Sequence, residues 1–267
     1  MASASTAINP AILDRPNAIS ICVKEVKYEF LKSVRIPMFL VATLVLPLMF
    51  YVLFGLVMGR QMIGNLRSTV YLMAAYGTFG VMGASLFGTA ASLAAERGLG
   101  WLEVKRASPM PPFAYFLAKV IMGLAFSAID VVALMILGVA FGGVHLPAAI
   151  MAKLALTLIT GSLPFCAMGL AIGYFARPTS GPALINLFYL PMSFCSGLWM
   201  PFSFLPRFIQ RVGILLPSYH LSQLSLNLIG GGQGGSAWGH WETLIGFALL
   251  CLGIARLGHQ RDQRAQA

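Results

Sequence analysis

Charge is what this sequence has least of. Asp, Glu, Lys and Arg together make up 10% of its 267 residues, against about 25% in a soluble domain. Acids are scarcest, eight against 18 bases, so the net charge of +10 reflects missing carboxylates more than a concentrated basic surface. With the bases thinly spread, composition argues against a nucleic-acid partner. The four cysteines, Cys22, Cys166, Cys195 and Cys251, lie far apart, with neither Cys-x-x-Cys nor Cys/His metal spacing. There is no Gly-Lys-Ser/Thr triplet, hence no phosphate-cradling loop through which this chain could bind ATP. Also missing are a His-Glu-x-x-His metal motif, a Gly-x-Ser-x-Gly elbow and paired acids, and the four histidines are scattered. The chain is therefore read as a non-enzyme, with no catalytic, metal or cofactor site of its own.

What replaces charge is apolar sequence. Hydrophobic residues reach 58% and mean hydropathy is +0.81, which places the chain among integral membrane proteins. A crossing helix needs about 20 apolar residues. Six segments are read as spans: 37–59, 68–95, 113–141, 154–176, 183–205 and 238–257. The fifth is broken by Pro191, Gly197 and Pro201, and the last has a charge-free centre of only 13 residues, 243–255. With both ends on one side, 13 of the 18 Lys and Arg fall on that side, which the positive-inside bias makes cytoplasmic. Gly80, Ala84 and Gly88 recur every four residues on span 2, a spacing that lets a neighbouring helix come close.

Three further features stand out. Residues 1–36 form a cytoplasmic N-terminus whose 19–35 stretch alternates at helical period. Ile19, Val23, Val26, Phe30 and Val34 make an apolar face opposite Lys24, Tyr28, Lys32 and Arg35, as suits a helix lying in the membrane interface. Residues 196–229 are apolar but rich in Pro and Gly, which predicts short re-entrant or interfacial helices on the outer side. Asp130 is the one acid deep in a span, a candidate for a substrate path or for bonding between helices. The fold class is accordingly all-α: a bundle of six transmembrane helices over 37–257, an interfacial helix before it and a cytoplasmic tail, 258–267.

The densest charge lies between spans 2 and 3, where Glu96, Arg97, Glu103, Lys105 and Arg106 surround Trp101 and Leu102. Glu96-Arg97-Gly98-Leu99-Gly100-Trp101-Leu102-Glu103, followed by Ser108-Pro109, resembles the Glu-Arg-Glu-x-Gly-Thr-Leu-Glu and Ser/Thr-Pro pattern of permease subunits of type-2 class ABC exporters. It departs from that pattern at Gly98 and Trp101. The stretch from Ser196 to Tyr219 is similar to the text that precedes the last span in that family. The resemblance implies a bacterial inner-membrane permease that exports a drug, lipid or lipid-linked saccharide. Its partners would be a second permease subunit, a homodimer in preference to a heterodimer, and a separate ABC ATPase that carries the ATP and Mg. On the same resemblance, 96–109 is a coupling helix that docks on the ATPase. Glu96, Arg97, Gly100, Glu103, Arg106, Ser108 and Pro109 belong to it, with Trp101 and Leu102 as apolar anchors and the charges as a rim. A stand-alone channel or secondary transporter is the alternative that the residues leave open.

Overall fold

The computed structural model describes residues 18–57, 61–107, 112–177 and 180–264. Ala18–Val34 forms helix α1. Pro37–Val57 (α2), Ser68–Gly98 (α3), Pro112–Ala140 (α5) and Ala237–Arg264 (α11) are long apolar helices. A short helix α4, Trp101–Ala107, lies between α3 and α5. The fourth span is two helices, Ala148–Thr160 (α6) and Leu163–Phe175 (α7), joined at Gly161-Ser162 with Pro164 in the first turn of α7. There Pro costs no hydrogen bond, because the first N–H groups of a helix have no partner within it. Among the described residues five helical stretches are long and apolar enough to cross a membrane by themselves. Gly181–Cys195 (α8) is apolar but only 15 residues long.

Helix α3 is the axis of the bundle. Its side chains are buried from Ser68 to Ala90, and α5, α2 and α7 pack around it. The small residues on it are what allow this. A Cβ on Gly80 would collide with the Asp130 carboxylate of α5, and Ala84 packs with Met122 and Phe126. Both α2 and α3 contain π-helical turns, at Val41–Val45, Tyr51–Val57 and Phe87–Ala91. Such turns widen the helix locally and are common at functional sites.

Two helices end elsewhere than the sequence-based expectation has them. The fifth span does not run to residue 205. It stops at Cys195, where Gly197 takes a φ of +73 that only glycine adopts freely. The chain then folds back through a 3₁₀ turn at Phe202–Phe204, helix α9 (Arg207–Gly213) and helix α10 (Pro217–Leu228). The last helix, in contrast, is one unbroken piece that continues past 257 as far as Arg264. A two-residue hairpin, Met62–Ile63 (β1) with Leu66–Arg67 (β2), is the only strand pair among the described residues. At the same end of the bundle His220 of α10 meets His240 of α11, Nδ1 to Nδ1, at 2.8 Å, beside the Tyr219 ring. Burial, and then the neighbouring His240, hold the His220 pKa below its usual range.

Candidate functional site

The charged segment after α3 begins as a helix end. The helix stops at Gly98, Leu99 caps it, and Gly100 turns the chain with a φ of +73 into α4. A residue with a Cβ is strained there, so Gly100 sets the angle between α3 and α4. The backbones of Glu103 and Arg106 lie within α4, while their side chains, and all of Ser108 and Pro109, lie outside the described residues.

Glu96 is not a rim charge. It is buried at the centre of an ionic cluster that sequence reasoning missed. Lys119 of α5, with 0% of its surface exposed, donates to Ser92 Oγ at 2.7 Å, to Glu96 Oε1 at 3.1 Å and to Glu29 Oε2 at 3.3 Å. Tyr115 Oη donates to Glu96 Oε2 at 2.6 Å. Lys32 of α1 also pairs with Glu96 and donates to Ser92 Oγ. Lys105 of α4 donates to Glu25 Oε1 at 2.6 Å and to Glu29 Oε1 at 3.3 Å. Three carboxylates therefore face three ammonium groups, and the cluster is neutral. Burial acts to lower the Lys105 pKa, but Glu96, Glu25 and Glu29 outweigh it and hold the ammonium form above its usual range.

Arg97 ties the segment to the other side of the bundle. Its guanidinium pairs with Asp262 of α11, with Nε 2.9 Å from Oδ2, and donates to the carbonyls of Gly173 (3.0 Å) and Tyr174 (2.6 Å) at the end of α7. Those carbonyls have no partner within their own helix, and a cation near a helix C-terminus is favourable. The segment is thus held by α1 and α5 on one flank and by α7 and α11 on the other.

The apolar anchors are also redistributed. Leu102 is 6% exposed and packs inward, so it is not available to a partner, whereas Trp101 is 56% and Leu99 72% exposed. Val104 is exposed as well. Leu99 and Trp101 border a cavity of about 660 Å³ that α1 closes with Tyr28, Glu25 and Lys32. Adjacent apolar side chains in water, mounted on a rigid base and rimmed by charge, have the make-up of a protein-binding patch.

Asp130 lies elsewhere. It is fully buried in the α3–α5 contact against Gly80, and neither carboxylate oxygen has a hydrogen-bond partner among the described residues. It lines neither the cavity beside Trp101 nor the larger one between α8 and α11. The cluster's signal was present in α1, where Glu25, Glu29 and Lys32 recur at spacings of four and three and so share one helical face. That face packs on α5, while Ile19 and Val23 of the apolar stripe point outward.

Residues 23–229 match the ABC-2 type transporter family. The chain is 24% identical over 235 residues to YvfS of Bacillus subtilis (strain 168), provisionally named a transport permease, and the match covers 88% of this chain and 95% of that protein. It is 28% identical over 185 residues to the inner membrane transport permease YhhJ of Escherichia coli (strain K12), across 63% of this chain and 46% of that one. The Shigella flexneri protein of the same name matches to the same extent.

Proposed function

Because the chain belongs to the ABC-2 type transporter family, we propose that this transport permease subunit exports an amphipathic cargo, a drug, lipid or lipid-linked saccharide, using ATP hydrolysed on a separate ATPase subunit. The ATPase docks on the Leu99–Val104 turn from the cytoplasm. Both chain ends face that side, in a bacterial inner membrane, and two copies of the chain form the pathway. One observation carries the reading: three apolar side chains, Leu99, Trp101 and Val104, stand exposed on a turn whose charged base is locked into four helices. A displacement of the turn by the ATPase would reach α1 and α5 through Lys105, Glu96 and Lys119, and α7 and α11 through Arg97. Asp130 would meet cargo only where the α3–α5 contact parts.

Co-purification of the permease with its ATPase tests this. Leu99→Ser with Trp101→Ala is expected to lose the ATPase while keeping the thermal midpoint of the free permease, because neither side chain is buried. An undiminished complex from that variant would overturn the docking assignment. Transport by the permease alone, in liposomes with an ion gradient and no ATPase, would overturn the energy source.

A further inference from the structure

Helices α8 and α11 scarcely touch one another. Between them lies a gap of about 670 Å³ whose back wall is α7. Met168, Ala171 and Ile172 of α7 are buried at its rear, and Leu187 of α8 and Leu250 of α11 are exposed at its mouth. The turn from Val212 to Pro217 closes one end as a roof. All of these side chains are apolar, so water gains no hydrogen-bond partners from them and has little reason to remain. The mouth opens between the exposed apolar faces of these two helices.

Dimensions and charge identify an occupant. The lining runs along α8 from Leu184 to Cys195, eleven residue steps or about 16 Å of helix. One leaflet supplies about 15 Å of hydrocarbon, half the thickness of the core. The roof therefore closes the gap near the depth at which the chains of one leaflet end. At the other end the lining residue Phe175 closes α7 and is followed two positions later, past the helix end, by an exposed arginine, Arg177. A basic group beside a crevice at the cytoplasmic boundary is suited to a lipid phosphate.

We propose that the gap between α8 and α11 binds one phospholipid of the cytoplasmic leaflet, with an acyl chain against Ala171 and Ile172 and its phosphate at Arg177. The choice of leaflet rests on the orientation proposed above. The acyl-chain site rests on the gap alone and does not depend on which cargo is carried.

The full-length permease, in nanodiscs of phosphatidylglycerol carrying a photoactivatable diazirine on one acyl chain, tests this by peptide mapping of the adducts. Adducts are expected on buried Ala171 and Ile172 as well as on outward-facing Leu249. Leu250→Trp, at the exposed mouth, is expected to lose the buried adducts while keeping those on Leu249. Arg177→Gln is expected to reduce them relative to Leu249. Adducts confined to outward positions, or a gap protected by cross-linking between two copies of the chain, would overturn the lipid site. Buried adducts that are indifferent to Arg177→Gln would overturn the phosphate assignment. Labelling of an Arg177→Cys variant from the outer side of the membrane alone would overturn the leaflet without touching the acyl-chain site.

Discussion

Lys119 shows what a single residue costs and supplies here. An ammonium with no exposed surface is tolerable only because Glu29, Glu96 and Ser92 surround it. Lys119→Met leaves two carboxylates short of a partner and is expected to lower stability by about 3 kcal/mol or more. Adding Glu96→Gln to it is expected to cost less than the sum of the two single changes, which a double-mutant cycle on thermal unfolding measures. Leu102→Ala, inside the bundle, is expected to destabilise by about 2–5 kcal/mol. Trp101→Ala on the exposed side is expected to leave the midpoint in place. His220 gives a pH signature. Its folded pKa lies below 6.5, so the unfolded chain takes the proton more readily. Its contribution is complete above the unfolded value and is lost as pH falls through 6.5 towards the folded value. His220→Gln is expected to flatten that fall, measured as unfolding midpoints from about pH 8 to about pH 5.

The elements were legible to different depths. Charge-free runs marked α2 and α3 because nothing but hydrocarbon or protein interior suits such runs, and α5 was marked by a long apolar run that only Lys119 and Asp130 interrupt. Where α8 ends was harder to read, since Ser196 to Phe204 is as apolar as a span and its breakers, Gly197 and Pro201, do not by themselves say at which residue the helix stops. Composition also placed Glu96 in water, because charge density in a sequence carries no measure of depth. Its partners Lys32 and Lys119 lie 64 and 23 residues away, brought together by α1 packing across the start of α5. The anchor pair Trp101 and Leu102 was read as a unit, but adjacent residues on a helix point about 100° apart, and only Trp101 faces out. Gly100→Ala tests the turn as an element: with φ at +73 it is expected to cost about 1 kcal/mol and to shift ATPase affinity more than Gly246→Ala, a mid-helix site with open space around it.

At the scale of the whole molecule, Glu25 near the start of the described chain and Asp262 near its end are both tied to the segment after α3, through Lys105 and Arg97. These contacts place α1, the charged turn and the last residues of α11 on one face of the bundle. A chain that leaves one face of a membrane and returns to it must cross an even number of times. Between Arg97 and Asp262 the long helices supply three crossings: α5, the α6–α7 pair and α11. Parity requires a fourth, and α8 supplies it, although its 15 residues reach only about 22 Å. The folded-back stretch from Ser196 to Leu228 then makes up the missing depth instead of a longer helix. Single cysteines at Arg177 and Gly232, in a background without the native four, are accordingly expected to be labelled from opposite sides of the membrane. Were α8 to slip out of the bilayer, Asp262 would be carried to the far side from Arg97, so this one ion pair holds the crossings of the entire second half of the chain to an even number.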